Sequence, residues 1–480
     1  MKSPSQHVFA EVPSIKIPRS VFDTGSTYKT AFDSGKLIPF VCREVVPGDT
    51  FNLSVAAFAR LTTPIVPIMD NMYMDFQFFF VPSRLVWDNW QKFCGEQKNP
   101  GDSIDYLVPT IEAPANTGFA VGSNYDYLGI PTGVPGIKVN ALPLRALHLI
   151  WNEWYRPETL ANSKTVSTGD GPDTASDYAQ LLPRYNRLDY LQGCLPEPQR
   201  GAGVGIGLSG TADIIFGGPY GTGVGLGSNT QYPFAGDKAY LQNMATVSDA
   251  RLAHVVNGNF VQASTVQGSN ELLADLSTSS AITINSLREA FQVQLFKERE
   301  QLAGSRYREI ILGMFGVRSP DYRLQIPEYL GGGTLPIQIH SVAQTSQTDV
   351  SGTPQGNLAA YGVAGGRPVG FVKSFTEFGY IIGIVSVRAD ITYQQGLDRM
   401  WSRQTRFDFY WPVFAHLGEQ AVLNKEIYAQ GNSTDDDVFG YQERYAEYRY
   451  GSSKVTGKLR STVQDSLDVW HLAPYYQSLP

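Results

Sequence analysis

Alternation of apolar and polar side chains is the feature that most restricts this chain. In Met72-Tyr73-Met74-Asp75-Phe76-Gln77-Phe78 an apolar residue recurs at every second position. A period of two puts one side of an extended strand on a core and the other side outward. Phe51-Asn52-Leu53-Ser54-Val55 has the same pattern within the run 51–58, and Pro64 and Pro67 predict a connection rather than a tight hairpin between the two runs. The pattern returns far downstream. Leu335-Pro336-Ile337-Gln338-Ile339 alternates, as do Arg406-Phe407-Asp408-Phe409-Tyr410-Trp411 and Tyr441-Gln442-Glu443-Arg444-Tyr445. The run Tyr380 to Val387 is apolar almost throughout, as in a strand buried on both faces. Strands at both ends of a long chain, with other material between, predict a β sandwich joined by very long loops.

The material between is of two kinds. Helical stripes are read at Val86, Trp90, Phe93 and Cys94, after a start near Ser83, and at Leu144, Leu147, His148, Trp151 and Tyr155, after Pro143. Ser286-Leu287-Arg288-Glu289 has the spacing of a capping box, and a further helix is expected from about Arg306 to Phe315, stopped by Gly316. Residues 201–285 differ. Glycine fills eleven of the 27 positions from 201 to 227, and the whole segment has two basic residues, Lys238 and Arg251, against five acidic ones. This is read as a Gly-rich surface insertion that either has its own small fold or serves a function. The first fifty residues show little periodicity and are read as an extended N-terminal arm. The organisation expected is therefore an arm at 1–50, a body at 51–200 and 286–480, and the insertion at 201–285.

Charge and ring content bear on function. Charged residues make up 17% of the 480, against ~25% in ordinary soluble domains. A large chain with so little charge has little obligately wet surface. It has 25 Phe, 26 Tyr and 7 Trp, residues that favour strands and protein interfaces. Both facts predict a subunit covered by other protein. The net charge of −7 offers no bulk attraction for nucleic acid, so any such contact must be a local patch. Cys42, Cys94 and Cys194 are too few and too widely spaced for a disulfide scaffold or a zinc site. The Met1-Lys2-Ser3-Pro4 start has no apolar signal core and no run reaches a membrane span, so folding in cytosol is expected.

The sequence nominates no catalytic, cofactor-binding or metal-binding residue. It contains no GxxxxGK[ST], HExxH or GxSxG pattern. Gly205-Ile206-Gly207-Leu208-Ser209-Gly210 fits GxGxxG literally, but in Gly-rich sequence rather than between a strand and a helix. His7, His148, His254, His340, His416 and His471 form no close pair, and His148 is read as a packed core residue. Asp435-Asp436-Asp437 has the oxygen ligands a hard cation needs, but reads first as a solvated acidic loop. One stretch has nucleic-acid character. Arg444, Arg449, Lys454, Lys458 and Arg460 are interleaved with Tyr445, Tyr448 and Tyr450, and only Glu447 opposes them. Cations neutralise phosphates and tyrosines stack on unpaired bases. The same residues also suit an alternating strand with a wet face. A second basic cluster, Arg306, Arg308, Arg318 and Arg323, is diluted by Glu309 and Asp321. Two functions fit these features: a self-assembling structural subunit, or a monomeric carbohydrate- or receptor-binding β protein with aromatic sugar platforms.

Long blocks along the chain carry a resemblance. They include the run from Phe315-Gly316-Val317-Arg318-Ser319-Pro320-Asp321-Tyr322-Arg323 through Gly332, Trp151-Asn152-Glu153-Trp154-Tyr155-Arg156, Gly379-Tyr380-Ile381-Ile382-Gly383 and Tyr393-Gln394-Gln395-Gly396-Leu397. The run Phe439 to Arg449 and Asp468-Val469-Trp470-His471-Leu472-Ala473 belong with them. With these blocks the chain resembles the major capsid proteins of Microviridae, small single-stranded-DNA phages, in their gokushovirus branch. The resemblance implies an eight-stranded antiparallel jelly roll of viral coat type, with large loop insertions containing short helices. It implies a T=1 icosahedral shell of sixty copies around a circular single-stranded DNA genome, formed in host cytoplasm. It implies a small basic DNA-binding virion protein as partner. It also implies that an insertion placed like 201–285 forms a protrusion that meets a host surface receptor.

Overall fold

A computed structural model describes residues 18–205, 284–343, 345, 358–367, 370–415 and 417–480, together with the backbone of five short strands between 213 and 275. The chain divides into two compact units, one of residues 1–200 and 298–480 and one of residues 201–297.

In the larger unit two sets of four strands carry the architecture. The first set is β1 (Lys36–Val45), β2 (Thr50–Leu53), β3 (Ala57–Arg60) and β4 (Met72–Pro82). The second is β5 (Glu328–Ala343), β6 (Leu358–Gly366), β7 (Phe371–Ser374) and β8 (Gly379–Ala389). They pair in a nested, antiparallel order. Ile38 of β1 faces Val385 of β8, Leu53 of β2 faces Phe371 of β7, Arg60 of β3 faces Val363 of β6, and Phe80 of β4 faces Glu328 of β5. β4 also pairs with β8 from Pro82–Gly379 to Met72–Ala389. The result is a seven-stranded antiparallel sheet, in the order β3, β6, β5, β4, β8, β1 and the short strand Leu182–Pro183, with β2 and β7 as a separate pair.

The sequence of β4 explains its place at the centre. Met72, Met74, Phe76, Phe78 and Phe80 are buried on the inner face, with Ile38, Ile337, Val385, Val387, Phe371 and Ile381. The other face changes character along the strand. Tyr73, Asp75 and Gln77 come first, then Phe79 and Val81. Phe79 and Val81 pack under helix α1 (Leu142–Ile150), against Leu142, Ala146, Leu147, Ile150 and Trp151. The alternation stops where a helix covers the second face. Gly383 of β8 meets a similar demand for closeness, since a Cβ there would lie 2.9 Å from the Val41 Cβ.

α1 begins with Pro143 in its first turn, and the Leu142 N–H donates to Asn140 Oδ1 at 2.9 Å. It continues as a π-helical turn, Trp151–Tyr155. The chain then leaves the helix at Arg156, which precedes a proline and is extended. Arg145 of α1 is fully buried. Its Nε and Nη2 each donate to Asp173 at 2.7 Å, and its Nη1 donates to the carbonyls of Val86 and Gly169, both at 2.9 Å. One guanidinium thus ties α1, the 83–87 turn and the 169–173 loop together.

Several expectations are corrected. The arm does not run to residue 50, because β1 lies between β8 and Leu182–Pro183 and buries Leu37, Ile38 and Val45. Pro39 hides this strand from a pattern search. It falls at a bulge that leaves Phe40 without a paired residue on β8, and the Phe40 ring packs 5.6 Å from that of Phe76. The run 51–58 is two strands with a break, not one. The helix read from Ser83 is a 3-10 turn, Ser83–Leu85, followed by a separate turn of helix at Trp90–Phe93. Helix α2 (Ile284–Ala303) starts before Ser286, which lies inside its first turn rather than capping it. Helix α3 (Tyr307–Phe315) ends at Gly316 with φ 68°. Within 201–285, backbone strands occur at Tyr240–Gln242, Arg251–Val256 and Asn259–Gln262, which form one sheet, and at Asp213–Gly217 and Glu271–Asp275, which form another. Residues 206–212, 218–239, 243–250, 257–258, 263–270 and 276–283, and with them the GxGxxG match beyond Gly205, lie outside the described residues, as do His7 and His416. No helix among the described residues is long and apolar enough to cross a membrane.

Removing one partner of a buried, hydrogen-bonded pair leaves an uncompensated charge, at a cost of about 3–5 kcal/mol. Asp173→Asn is expected to lower stability by that amount, measured as a lower urea midpoint of the unassembled chain. An unchanged midpoint would show that the pair does not hold the α1 layer.

Candidate functional site

After β8 the chain builds a two-stranded ribbon, Glu419–Leu423 paired with Val438–Glu443. The preceding loop, 398–417, is anchored on it by Arg399 and Arg403. Arg399 Nη1 donates to the Ala421 carbonyl at 2.5 Å and pairs with Glu426 at 3.2 Å. Glu426 is buried, accepts the Tyr190 hydroxyl at 3.0 Å, and has its carboxyl pushed up by that burial. Arg403 pairs with Glu447 at 2.9 Å and lies 4.4 Å over the Tyr448 ring.

The rings of this loop point the other way. Trp401 is 69% exposed and Val413 87%, and Met400, Phe407, Phe409, Tyr410, Trp411 and Leu417 are each about half exposed. Tyr448 and Tyr450 are also about half exposed, and the Tyr410 ring meets Tyr445 and Tyr448 edge-on at 4.9 and 6.0 Å. The stretch 406–411, expected as a strand, is a 3-10 turn, Arg406–Asp408, followed by extended coil. Asp408 is the reason. Its carboxylate accepts the Thr405 and Gln404 N–H groups at 2.7 and 2.9 Å, closing a capping box, and these bonds hold it below the usual carboxylate range. Without a strand there is no inner face, so the rings stay outside. Contiguous exposed apolar surface of this kind marks a binding interface. The run of aromatic residues from Phe407 to Phe414 was the available signal, but its alternation suggested a strand with one face buried.

The basic stretch 444–460 is not one strand. Pairing ends at Glu443, Tyr445 is left-handed with φ 65°, and 3-10 turns follow at Ala446–Tyr448 and Gly457–Leu459. Tyr445 is 5% exposed, which corrects its nomination as a base-stacking residue. Tyr448 is half exposed, with the Arg403 guanidinium over one face of its ring. Arg444 is half-buried, with its guanidinium over the Phe414 and Tyr445 rings. Arg449 pairs with Glu443 and Lys454 with Asp398 on open surface. Lys458 and Arg460 are exposed and have no ion-pair partner among the described residues.

Other candidates have structural roles. Arg306 is enclosed by Glu153, Glu158 and Glu309, and Arg308 lies 4.1 Å over Trp154. Asp435 caps the Gln430 and Gly431 N–H groups, and Asp436 pairs with Lys425 at 2.6 Å. His148 is buried against Tyr178, its Nδ1 3.1 Å from the Thr165 carbonyl, and burial lowers its pKa. The cysteines are free, and burial pushes the Cys42 thiol up to about 11. Among the described residues no group of three metal-ligating side chains converges.

Comparison with known proteins is consistent across the whole length. The family described as Capsid protein (F protein) matches residues 10–480. The chain is 48% identical to capsid protein VP1 of Bdellovibrio phage phiMH2K, over 99% of this chain and 89% of that protein. It is 42% identical to capsid protein VP1 of Chlamydia phage 1, over 98% and 89%, and 36% identical to capsid protein VP1 of Spiroplasma virus 4, over 99% and 88%.

Surface substitutions away from core features change stability within about 0.5 kcal/mol. Trp401→Ser with Trp411→Ser is therefore expected to leave the urea midpoint unchanged while abolishing self-association in analytical ultracentrifugation. Persistence of full-size assemblies would show that this face is not an interface. A pH effect is expected on the ribbon. Burial, then Glu298 and the facing Glu443, push Glu419 up to about 7 from its ordinary 4.5. The fold holds this proton more firmly than the unfolded chain does. Its contribution is complete below pH 4.5 and is lost as pH rises through about 7. Glu419→Gln should flatten the unfolding midpoint across that window; an unaltered profile would assign the dependence elsewhere.

Proposed function

The chain belongs to the F-protein capsid family of the Microviridae, and on that premise we propose that it closes into a T=1 icosahedral shell around a circular single-stranded DNA genome. It is a major capsid protein of the virion and not an enzyme. The observation that carries the proposal is the aromatic face from Trp401 to Val413. Arg399 and Arg403 are spent on internal pairs and the rings are left to water, an arrangement that suits burial against neighbouring copies. Sixty copies in equivalent surroundings close such contacts by rotation, with no free edge.

Within this reading β1–β4 and β5–β8 are the eight strands of a jelly roll. Their nested pairing, first with last and second with second-to-last, is what rolling up one long hairpin produces. Arg449 and Lys454 reach DNA phosphates by exchanging exposed ion pairs worth ~0–1 kcal/mol, Lys458 and Arg460 need no exchange, and Tyr448 offers a ring to an unpaired base. A small basic virion protein supplies the positive charge that a chain of net charge −7 does not. Assembly takes place in host cytoplasm, and residues 201–285 meet a host surface receptor.

Purified particles are expected to protect circular single-stranded DNA from nuclease and to show icosahedral T=1 symmetry by electron microscopy. A stable monomer under assembly conditions, or particles without DNA, would sink the reading. Replacing 201–285 by a short Gly/Ser linker should leave shells intact and reduce attachment to host cells. Loss of shells would instead make that segment part of the framework.

A further inference from the structure

The face of the sheet that α1 only partly covers holds a second site. Helix α1 covers Phe79 and Val81, but beside Asp75 and Gln77 a cavity of about 730 Å³ opens. Ligand pockets commonly span ~300–1,000 Å³. Arg156, Arg184, Arg187, Arg306 and Arg388 line it, against the carboxylates of Asp75, Glu158 and Glu309.

The charge is unevenly divided. At one end Arg306 is balanced by Glu153, Glu158 and Glu309. At the other, Asp75 serves Arg388 at 2.7 Å and Arg184 at 3.5 Å, and its other oxygen already accepts the Thr334 hydroxyl at 2.7 Å. Arg388 has a second anion, Asp390, at 3.6 Å, outside the cavity lining and 40% exposed. Arg187 is exposed and has no ion-pair partner among the described residues. Positive charge therefore exceeds negative at this end.

Hydrogen bonding gives an independent sign. At this end Arg184 Nε and Arg388 Nη1 are shut off from solvent and have no hydrogen-bond acceptor. Buried guanidinium N–H groups without acceptors call for an anion with several oxygens, and the planar fork of arginine suits a phosphate. Rings adjoin the same end. The Arg184 guanidinium lies 5.2 Å over Tyr155, and Tyr185 stands 44% exposed on the lining.

We infer that this end of the cavity binds a phosphodiester of single-stranded DNA, with Arg184, Arg187 and Arg388 on its oxygens and a base against Tyr185. The inference rests on the reading that the shell encloses such DNA. An acidic segment of a neighbouring copy would also supply oxygens, but would leave Tyr185 without a base to stack on.

The test uses the purified, unassembled full-length chain with fluorescein-labelled oligothymidylate. Ultraviolet cross-linking followed by peptide mass mapping should place thymine on Tyr155 or Tyr185. Arg187→Gln, on open surface, and Arg184→Gln should each weaken binding and lower the slope of log affinity against log salt by about 0.7. Cross-links confined to 401–411 and 444–460, or slopes unchanged in both variants, would overturn the inference while leaving DNA enclosure untouched. Equal or tighter binding of an oligoglutamate peptide, competing at the same residues, would overturn it in favour of an acidic protein segment. Nuclease-protected DNA in purified particles judges the enclosure reading separately.

Discussion

The ladder that β4 makes with β5 on one side and β8 on the other is the interaction everything else depends on. β4 ends at residue 82 and β5 begins at 328, so each rung closes a very long loop. Loop-closure entropy grows only logarithmically, with each doubling of length costing about 0.6 kcal/mol. A long ladder with apolar inner residues outweighs that cost. Once it is closed, the intervening chain can lengthen with little further penalty, and a separate compact unit at 201–297 is accommodated.

The same economy of contact shapes the second half of the larger unit. The 398–417 loop inverts the usual arrangement, with Arg399 and Arg403 turned inward and rings outward. Buried ion pairs are poor sources of net stability, but they fix geometry, because any shift leaves a charge unpaired. Arg399 and Arg403 therefore work as positioners that hold the backbone under this apolar surface in place.

How much of this was legible in the sequence depended on whether the signal was local. β4, β8 and α1 could be read because their periodicity is a property of neighbouring residues. β1 was missed because Pro39 and its bulge break the period, although Leu37, Ile38 and Val45 are core residues. The stretch 406–411 was misread because one carboxylate, Asp408, turns an alternating pattern into a capped turn. Tyr445 was nominated from its neighbours' charge, and its left-handed backbone carries its ring inward. The arginines of the cavity come from four separate segments and share no pattern. Only the fold brings them together, so no spacing rule could have found them.

The nested order of the strands also has a consequence in time. When β1 to β4 leave the ribosome, their partners do not yet exist. At ~5–20 residues per second, the stretch from residue 82 to residue 328 takes roughly ten to fifty seconds to synthesise. During that interval β4 presents two unpaired edges and a row of phenylalanines to surroundings where identical nascent chains are being made. Each polypeptide must pass through a state in which its own sister is the most complementary wrong partner available. Yield of functional subunits is then set as much by what shields that strand during translation as by the stability of the finished sheet.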